Sequence, residues 1–282
     1  MSVKEITSAA NPIVKGIRAL AMKKHREREG AFLAEGMKLA TDALDSGWTV
    51  RTVMVSRNAE GERLARIEAL AARVHAAGGS VLRCSDKVMQ AVARRDNPQT
   101  VMAVIEERWL ANVAPAEGET WLALDRCRDP GNLGTVIRTA DALGAAGLVL
   151  VGPSTDPFEQ GAVRATMGSL FHVPVARLEA GAFTDLAERF RTKGGQVVGT
   201  HLEGAVDHRA VDWRRTPTLI VMGNEAQGLD PALAPACDRL ALIAMSPGRG
   251  ADSLNLGVST GIVLHEARRH LLAAPPKEVP GC

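Results

Sequence analysis

The hydrophobic pattern of the chain alternates between short apolar runs and longer amphipathic stretches. Short apolar runs bounded by glycine, proline or polar residues are typical of buried strands, whereas apolar positions three and four residues apart are typical of helices. Strands are predicted at 31–34, 49–55, 81–82, 100–105, 121–124, 147–152, 173–176, 196–199, 219–222 and 240–244. Helices are predicted at 13–24, 36–44, 63–77, 87–93, 135–143, shortly after 161, 183–192 and 253–272. This alternation predicts an α/β protein.

One polar stretch rich in helix and strand breakers interrupts the pattern. It covers 111–119 and contains Pro115 and Gly118. Because breaker-rich segments commonly connect domains, we interpret it as a linker. The chain of 282 residues then divides into a smaller α/β domain at 1–110 and a second domain at 120–282.

Two predicted strands near the C-terminus end in tight, polar loops. The apolar run 219–222 stops at Gly223-Asn224-Glu225, and the run 240–244 leads into the glycine-rich loop 246–250. Ligands of open α/β sheets bind where such strand-end loops gather. The pattern therefore predicts a pocket built largely from backbone groups.

The composition narrows the class of protein. Hydrophobic residues make up 46% and charged residues 23%, which is typical of a globular fold. No apolar run approaches the roughly 20 residues that cross a bilayer, and the N-terminus lacks a secretory signal, so a cytoplasmic protein is expected. The four cysteines form no Cys-x-x-Cys pair. Neither a metal site nor a disulfide framework is predicted.

The basic residues are concentrated in one N-terminal stretch, although the formal net charge is only +2. This stretch includes Lys15, Arg18, Lys23, Lys24 and Arg26. Such a run indicates either a solvated helix face or a surface that contacts phosphates, and both interpretations stay open. The chain has no tyrosine and few other aromatic residues, so an aromatic platform for stacking bases is not predicted.

A loop that leads into a predicted helix carries Asn132, Gly134 and Arg138. An arginine nearly two turns after the asparagine suits an anionic phosphodiester, because its guanidinium bonds two oxygens at once. A surface salt bridge for Arg138 and a helix cap for Asn132 explain each residue alone. Asp125 and Asp129 nearby are interpreted as loop-shaping residues in preference to paired catalytic carboxylates.

Three stretches together resemble the signature motifs of the SpoU/TrmH family, namely 129–140, 222–228 and 253–256. Members of that family are S-adenosylmethionine-dependent RNA ribose 2′-O-methyltransferases with a knotted α/β fold. The N-terminal half is similar to the ribosomal-protein-like substrate-binding domain of many members, through 6–8, 11–12, Lys15 and 32–36. The resemblance implies a C-terminal α/β methyltransferase domain with a trefoil knot and a parallel sheet, beside a smaller N-terminal α/β RNA-binding domain.

The resemblance also implies roles for individual residues. Catalytic roles fall to Arg138, Asn132 and Glu225. Cofactor contacts fall to Gly223, Asn224, Ile243, Met245, Ser253, Leu254 and Asn255. RNA contacts are expected at Lys15, Arg18, Lys23, Lys24, Arg26 and Arg138. The loop 246–252 departs from the family pattern, since it is about two residues longer than usual and contains a proline and an arginine.

The function that the resemblance implies is methyl transfer from S-adenosylmethionine to a ribose 2′-hydroxyl of structured RNA. Ribosomal RNA is favoured over transfer RNA, and a homodimer is implied, with the closing helix as the candidate interface. Whether Arg138 acts as the base or as a phosphate clamp stays open. A non-catalytic RNA-binding factor is one alternative. A nucleotide-dependent oxidoreductase is another, although no Gly-x-Gly-x-x-Gly follows a predicted strand.

Overall fold

The computed structural model describes residues 3–94, 96–202, 205–246, 248, 250 and 253–272. The chain forms two compact units. The first unit contains the described residues up to Leu110 together with Asp129–Arg138 and Thr155–Pro174; the second contains Ala111–Arg128, Thr139–Ser154 and the described residues from Val175 onward. The domain limits 1–110, 111–119 and 120–282 stay a prediction, because the two compact units are not continuous segments of the chain.

A five-stranded sheet forms the centre of the first unit, in the order β1-β4-β3-β5-β2. The strands are β1 (Val3–Ile6), β2 (Ala31–Glu35), β3 (Val50–Ser56), β4 (Ser80–Cys84) and β5 (Val101–Glu106). Strands β1, β4 and β3 are parallel, whereas β5 is antiparallel to both β3 and β2. The sheet is therefore mixed, with β2 at one edge.

Helices cover this sheet because its strands are apolar on both faces. They are α1 (Pro12–Ala19), α2 (Lys23–Glu29), α3 (Met37–Asp45), α4 (Gly61–Ala76) and α5 (Asp86–Ala93). Side chains of α1 and α5, including Val14 and Val88, form one buried cluster with Leu33, Met54 and Leu82 of the sheet. Successive strand residues point to opposite faces, so Phe32 and Val53 face away from this cluster.

The second unit is built on a seven-stranded sheet in the order β10-β12-β9-β11-β6-β7-β8. The strands are β6 (Thr120–Asp125), β7 (Gly147–Val151), β8 (Val175–Leu178), β9 (Gln196–Thr200), β10 (Val206–Asp207), β11 (Thr218–Met222) and β12 (Arg239–Leu242). Every strand pair is parallel. Because parallel strands share one carboxyl edge, the loops after β9, β11 and β12 emerge on the same side of the sheet.

The remaining helices are α6 (Pro130–Ala142), α7 (Gln160–Ala165), α8 (Phe183–Thr192) and α9 (Leu256–Arg268). No helix among the described residues combines the length and the apolar content that a membrane crossing requires.

The predicted helix 13–24 is two helices in the structure. The chain leaves α1 after Ala19 and enters α2 at Lys23. The break frees the carbonyl oxygens of Leu20 and Ala21, and both accept hydrogen bonds from Arg26 Nη1. A side chain here takes the place of the backbone donors of a continuous helix, and the spacing of apolar residues does not predict this.

Other boundaries also differ from the prediction. Helix α9 begins at Leu256 and not at residue 253, and α6 begins at Pro130, five residues before the predicted start. Strand β8 lies two residues after its predicted position. Strands β1 and β10 were not predicted, because β1 has two charged residues between its apolar ends and β10 has only two residues.

Candidate functional site

The strand-end loops of the second unit surround a cavity of about 540 Å³. Its walls come from the ends of β9, β11 and β12 and from the segment that enters α9. Among the lining residues are Gly223, Asn224, Glu225, Ile243, Met245, Ser253 and Leu254. The structure thus brings the second and third predicted motifs together in one cavity. Positions 247, 249, 251 and 252 of the long loop lie outside the described residues.

Gly223 lies where the chain after β11 turns back on itself. An alanine Cβ at this position would lie 2.6 Å from the carbonyl carbon of Gly228 and closer still to the backbone nitrogen of Leu229. Contacts this short are not tolerated, and both neighbours are backbone atoms that cannot rotate away. Only glycine therefore allows the loop to close this tightly.

Asn224 fixes the loop that Gly223 begins. Its backbone exchanges two hydrogen bonds with Gly228, at 2.8 and 2.9 Å. Its side-chain oxygen accepts hydrogen bonds from the backbone nitrogens of Ala226 and Gln227, and its Nδ2 donates to the carbonyl oxygen of Arg126 at 2.7 Å. Both ends of the amide are therefore used inside the protein, so Asn224 shapes the cavity wall.

Arg126 connects the end of β6 to the same loop. Its guanidinium makes two hydrogen bonds of 2.9 Å to the Asp125 carboxylate and donates at 2.9 Å to Gln227 Oε1. Asp125 is buried and also accepts a hydrogen bond from the backbone nitrogen of Asp230. The hydrogen bonds that Arg126 donates to the Asp125 carboxylate raise the pKa of Arg126 above its ordinary value. This geometry supports the loop-shaping interpretation of Asp125.

Arg126 was not among the site residues predicted from the sequence. Its backbone lies in the left-handed region with φ of 48°, which is uncommon for residues other than glycine. Such positions are retained where surrounding contacts define the conformation, and they cluster at functional sites. The only available sequence signal was the Asp-Arg pair at the end of an apolar strand.

Glu225 places a carboxylate at the mouth of the cavity. The side chain is exposed, with Oε1 3.7 Å from the buried Cys127 thiol and Oε2 3.5 Å from Asn224 Nδ2. The cavity therefore combines one carboxylate, many backbone polar groups and the apolar side chains of Ile243, Met245 and Leu254. Such a lining suits a small molecule with both polar and apolar parts.

Asn255 caps helix α9. Its side-chain oxygen accepts the backbone nitrogen of Gly257 at 2.9 Å and that of Val258 at 3.4 Å. This cap fixes the first helical residue as Leu256, so Ser253 and Leu254 stay outside the helix and line the cavity. A direct contact between Asn255 and a cofactor stays a prediction.

Asn132 and Arg138 belong to helix α6 and to the first unit. Asp129 caps this helix, because its Oδ1 accepts the backbone nitrogen of Asn132 at 2.6 Å. Asn132 is half-buried in the first turn, whereas Arg138 is exposed. An alanine Cβ at Gly134 would lie 2.8 Å from the Ala162 carbonyl oxygen, so this glycine allows α7 to approach α6. The catalytic roles of Asn132 and Arg138 stay predictions.

The predicted RNA-binding residues do not share one environment. Lys15, Arg18, Lys23 and Lys24 are exposed on α1 and α2. Arg26 is only 2% exposed, and its Nη2 lies 2.7 Å from Asp156 Oδ2. The prediction that Arg26 contacts RNA is therefore wrong, because its charge is already paired inside the first unit.

No cluster of three or more potential metal ligands was found among the described residues. The expectation of a metal-independent protein stays a prediction.

Comparison with known proteins gives two family matches and several relatives. The SpoU rRNA Methylase family model matches residues 119–265, and the model of an MRM3-like substrate binding domain matches residues 11–103. The chain is 32% identical to the 23S rRNA (uridine(2479)-2′-O)-methyltransferase of Streptomyces viridochromogenes, over 93% of this chain and 90% of the relative. It is also 32% identical to the 23S rRNA (guanosine(2553)-2′-O)-methyltransferase RlmP of Bacillus subtilis, over 94% of this chain and 100% of the relative.

A solved structure with high similarity is the AdoMet-bound rRNA methyltransferase from Sinorhizobium meliloti. Its TM-score is 0.87 and its sequence identity is 50%, over 96% of this chain and 99% of that chain.

Proposed function

Since this chain belongs to the SpoU rRNA methylase family, we propose that it methylates the ribose 2′-hydroxyl of ribosomal RNA with S-adenosylmethionine as methyl donor. The single observation that carries the proposal is the cavity where the Gly223–Gly228 loop meets the entry to α9. It joins two of the three family motifs around a space of the size that small-molecule ligands occupy.

The residues around the cavity fit S-adenosylmethionine. The closed turn at Gly223 exposes backbone groups to the cavity, and Ile243, Met245 and Leu254 offer apolar surface for an adenine ring. Glu225 offers the one acidic side chain among the described residues that line the cavity, which suits a ligand that carries positive charge. When bound, S-adenosylmethionine supplies a methyl group on a positively charged sulfur.

Arg138 is proposed to engage the RNA. Its guanidinium is exposed, and no described residue forms a hydrogen bond or ion pair with it. A guanidinium is a poor base but its planar fork bonds two phosphate oxygens at once, so a clamp on a backbone phosphate suits Arg138 better than service as a base. Such a clamp holds the 2′-hydroxyl in line for transfer, and positioning alone supplies several kcal/mol. Asn132 and Glu225 are proposed to orient the ribose and the loop.

The exposed lysines and arginines of α1 and α2 are proposed to grip the RNA backbone. Lys15, Arg18 and Lys24 present their charges to solvent, and Lys23 is only weakly engaged, 3.8 Å from Glu27. Ribosomal RNA is favoured over transfer RNA because both relatives named above carry 23S rRNA in their names. A cytoplasmic location follows from that substrate.

A trefoil knot and a homodimer complete the proposal. The knot is proposed from family membership; strand β11 lies between β9 and β6, two strands that precede it in the chain. Leu254 and Val258 are exposed at the start of α9, and paired copies would remove this apolar surface from water.

The test combines cofactor binding with methyl transfer. Calorimetry measures S-adenosylmethionine binding to the purified protein, and labelled cofactor then measures transfer to ribosomal or transfer RNA. The proposal predicts saturable binding at one site per chain and transfer to ribosomal RNA. Binding of RNA without binding of cofactor would favour the non-catalytic RNA-binding factor. Transfer to tRNA alone would replace the proposed substrate.

A further inference from the structure

The buried pair of Arg26 and Asp156 joins two parts of the first unit that are 130 residues apart in the chain. Arg26 Nε and Nη2 donate to Asp156 Oδ2 at 3.1 and 2.7 Å, and Nη1 donates to the carbonyl oxygens of Leu20 and Ala21. Asp156 Oδ1 in turn accepts the backbone nitrogen of Phe158 at 3.0 Å. All three guanidinium nitrogens are therefore used inside the protein.

An aromatic cluster reinforces this junction. Phe158 stacks on Phe32 of β2 with ring centroids 4.9 Å apart, and the Trp109 ring meets Phe158 edge-on at 5.0 Å. Trp48 packs edge-on against Phe171 and donates its Nε1 to the Phe171 carbonyl oxygen at 3.1 Å. Residues 155–174 are therefore held near one end by β2, through Phe32, and near the other by the segment between α3 and β3, through Trp48.

The same segment packs tightly against the start of α6. Gly134 of α6 comes so close to Ala162 and Ala165 of α7 that a side chain at 134 has no room. Gly161 lies against Pro130, the first residue of α6, where an added Cβ would be 3.6 Å from the Pro130 Cβ. Closely packed interiors transmit displacements, because they have little free volume to absorb them.

These contacts form a continuous path from α2 through residues 155–174 to the helix that carries Asn132 and Arg138. We propose that Arg26 and Asp156 are positioning residues that fix α6 relative to the RNA-gripping face of α1 and α2. The inference rests on the proposed methyl transfer. In it, the buried pair keeps Arg138 aligned with the bound RNA. It also explains why one basic residue of the N-terminal stretch points inward.

A buried ion pair is a poor source of stability, because desolvation of both charges offsets most of their attraction. The directional hydrogen bonds of the pair define one arrangement of the elements that it joins. The pair therefore sets the position of α6 without contacting either substrate. Loss of the pair is therefore expected to affect the transfer rate more than the binding of either substrate.

The test replaces both charges at once, with Arg26→Met and Asp156→Leu in one protein, because single removal leaves a buried charge unpaired. The matched control removes the exposed pair Arg51 and Glu106, which lies in the same unit at 2.8 Å, by Arg51→Met and Glu106→Leu. Arg26→Lys is the second test variant, since it keeps the charge and loses the planar fork. Thermal melting first establishes that each protein is folded.

Three quantities are then measured: the affinity for S-adenosylmethionine, the affinity for ribosomal RNA, and the single-turnover transfer rate with both saturating. For the Arg26/Asp156 variant we expect the rate to fall about tenfold to a hundredfold, because an arginine misplaced by about 1 Å loses that much. Both affinities are expected to stay within about twofold of wild type, and Arg26→Lys is expected to recover part of the rate.

A folded Arg26/Asp156 variant with the wild-type transfer rate would overturn the inference, and so would a rate loss explained by weaker RNA binding. If that variant does not fold, a wild-type rate in Arg26→Lys would overturn it equally. Should neither variant fold, hydrogen exchange of the wild-type α6 amides decides: fast exchange in 133–138, whose amides are bonded within the helix, would contradict a fixed helix. Failure of this inference and failure of the proposed function are distinguished by the wild-type protein. A wild-type protein that transfers no methyl group refutes the proposed function, whereas an active wild-type protein leaves only the role of the buried pair in question.

Discussion

Replacement of Gly223 by alanine tests the geometry of the cofactor cavity. The new Cβ would lie 2.6 Å from the Gly228 carbonyl carbon, whereas ordinary contacts begin at 3.4 Å. The loop from Asn224 to Gly228 must therefore retreat by roughly 1 Å, which disturbs the hydrogen bonds between Asn224 and Gly228. Overpacking of this kind costs about 1–3 kcal/mol. If that cost falls on the ligand-binding arrangement, S-adenosylmethionine affinity drops by roughly 5- to 150-fold.

The assay is calorimetric titration of S-adenosylmethionine into Gly223→Ala and into a control, Gly181→Ala. Gly181 belongs to the same unit, and an added Cβ there meets nothing within 4 Å. The control is expected to bind as wild type does. Wild-type affinity in Gly223→Ala would refute the reasoning, because it would mean that the cofactor does not depend on the closed turn after β11.

Three further predictions concern Arg138, Asn255 and the cysteine thiols. Arg138→Ala is expected to abolish nearly all methyl transfer at unchanged melting temperature and cofactor affinity; retained activity would remove this residue from the mechanism. Asn255→Ala is expected to lose about 1 kcal/mol of unfolding free energy in urea, and Asn255→Ser to retain most of it, because serine also caps helices. Burial raises the pKa of Cys84 and of Cys237 to about 12. Both thiols stay protonated at pH 8, so iodoacetamide is expected to label them only after denaturation; labelling of the native protein at the denatured rate would contradict this.

The sequence was sufficient to predict the fold class and the family. Apolar runs such as 219–222 are buried along their whole length, so they reveal their strands without knowledge of the neighbours. The α/β class with a parallel sheet is confirmed, and family membership is confirmed by the match at 119–265. That membership sets aside the oxidoreductase alternative, whereas the non-catalytic alternative depends on the binding and transfer assays.

The sequence was insufficient where a residue depends on a distant partner. In the sequence, Arg26 cannot be distinguished from its exposed basic neighbours. Its partner Asp156 lies 130 residues further along the chain, so no local pattern predicts the pair. The left-handed backbone of Arg126 and the contact of Gly134 with α7 likewise follow from packing between segments that are distant in the chain. In each case the sequence shows the type of residue but does not show which distant residue it contacts.

Within the cavity, a residue's role can be predicted from the sequence where the local backbone alone determines it. Gly223 is predictable because a sharp turn after a buried strand requires glycine. The side chains of Asn224 and Asn255 hold the loop and cap α9, and their expected contact with a cofactor stays a prediction. Family resemblance identifies which residues matter, whereas hydrogen bonds show how they act.

The most direct test of the central claim is the position of the transferred methyl group on RNA. Ribosomal RNA is incubated with the purified protein and S-adenosylmethionine labelled in the methyl group, and the product is hydrolysed completely with alkali. Alkaline cleavage requires a free 2′-hydroxyl, so a 2′-O-methylated nucleotide survives within an uncleaved dinucleotide. The account predicts that the label is recovered in alkali-resistant dinucleotides. Label recovered in mononucleotides would place the methyl group on a base and would contradict the account.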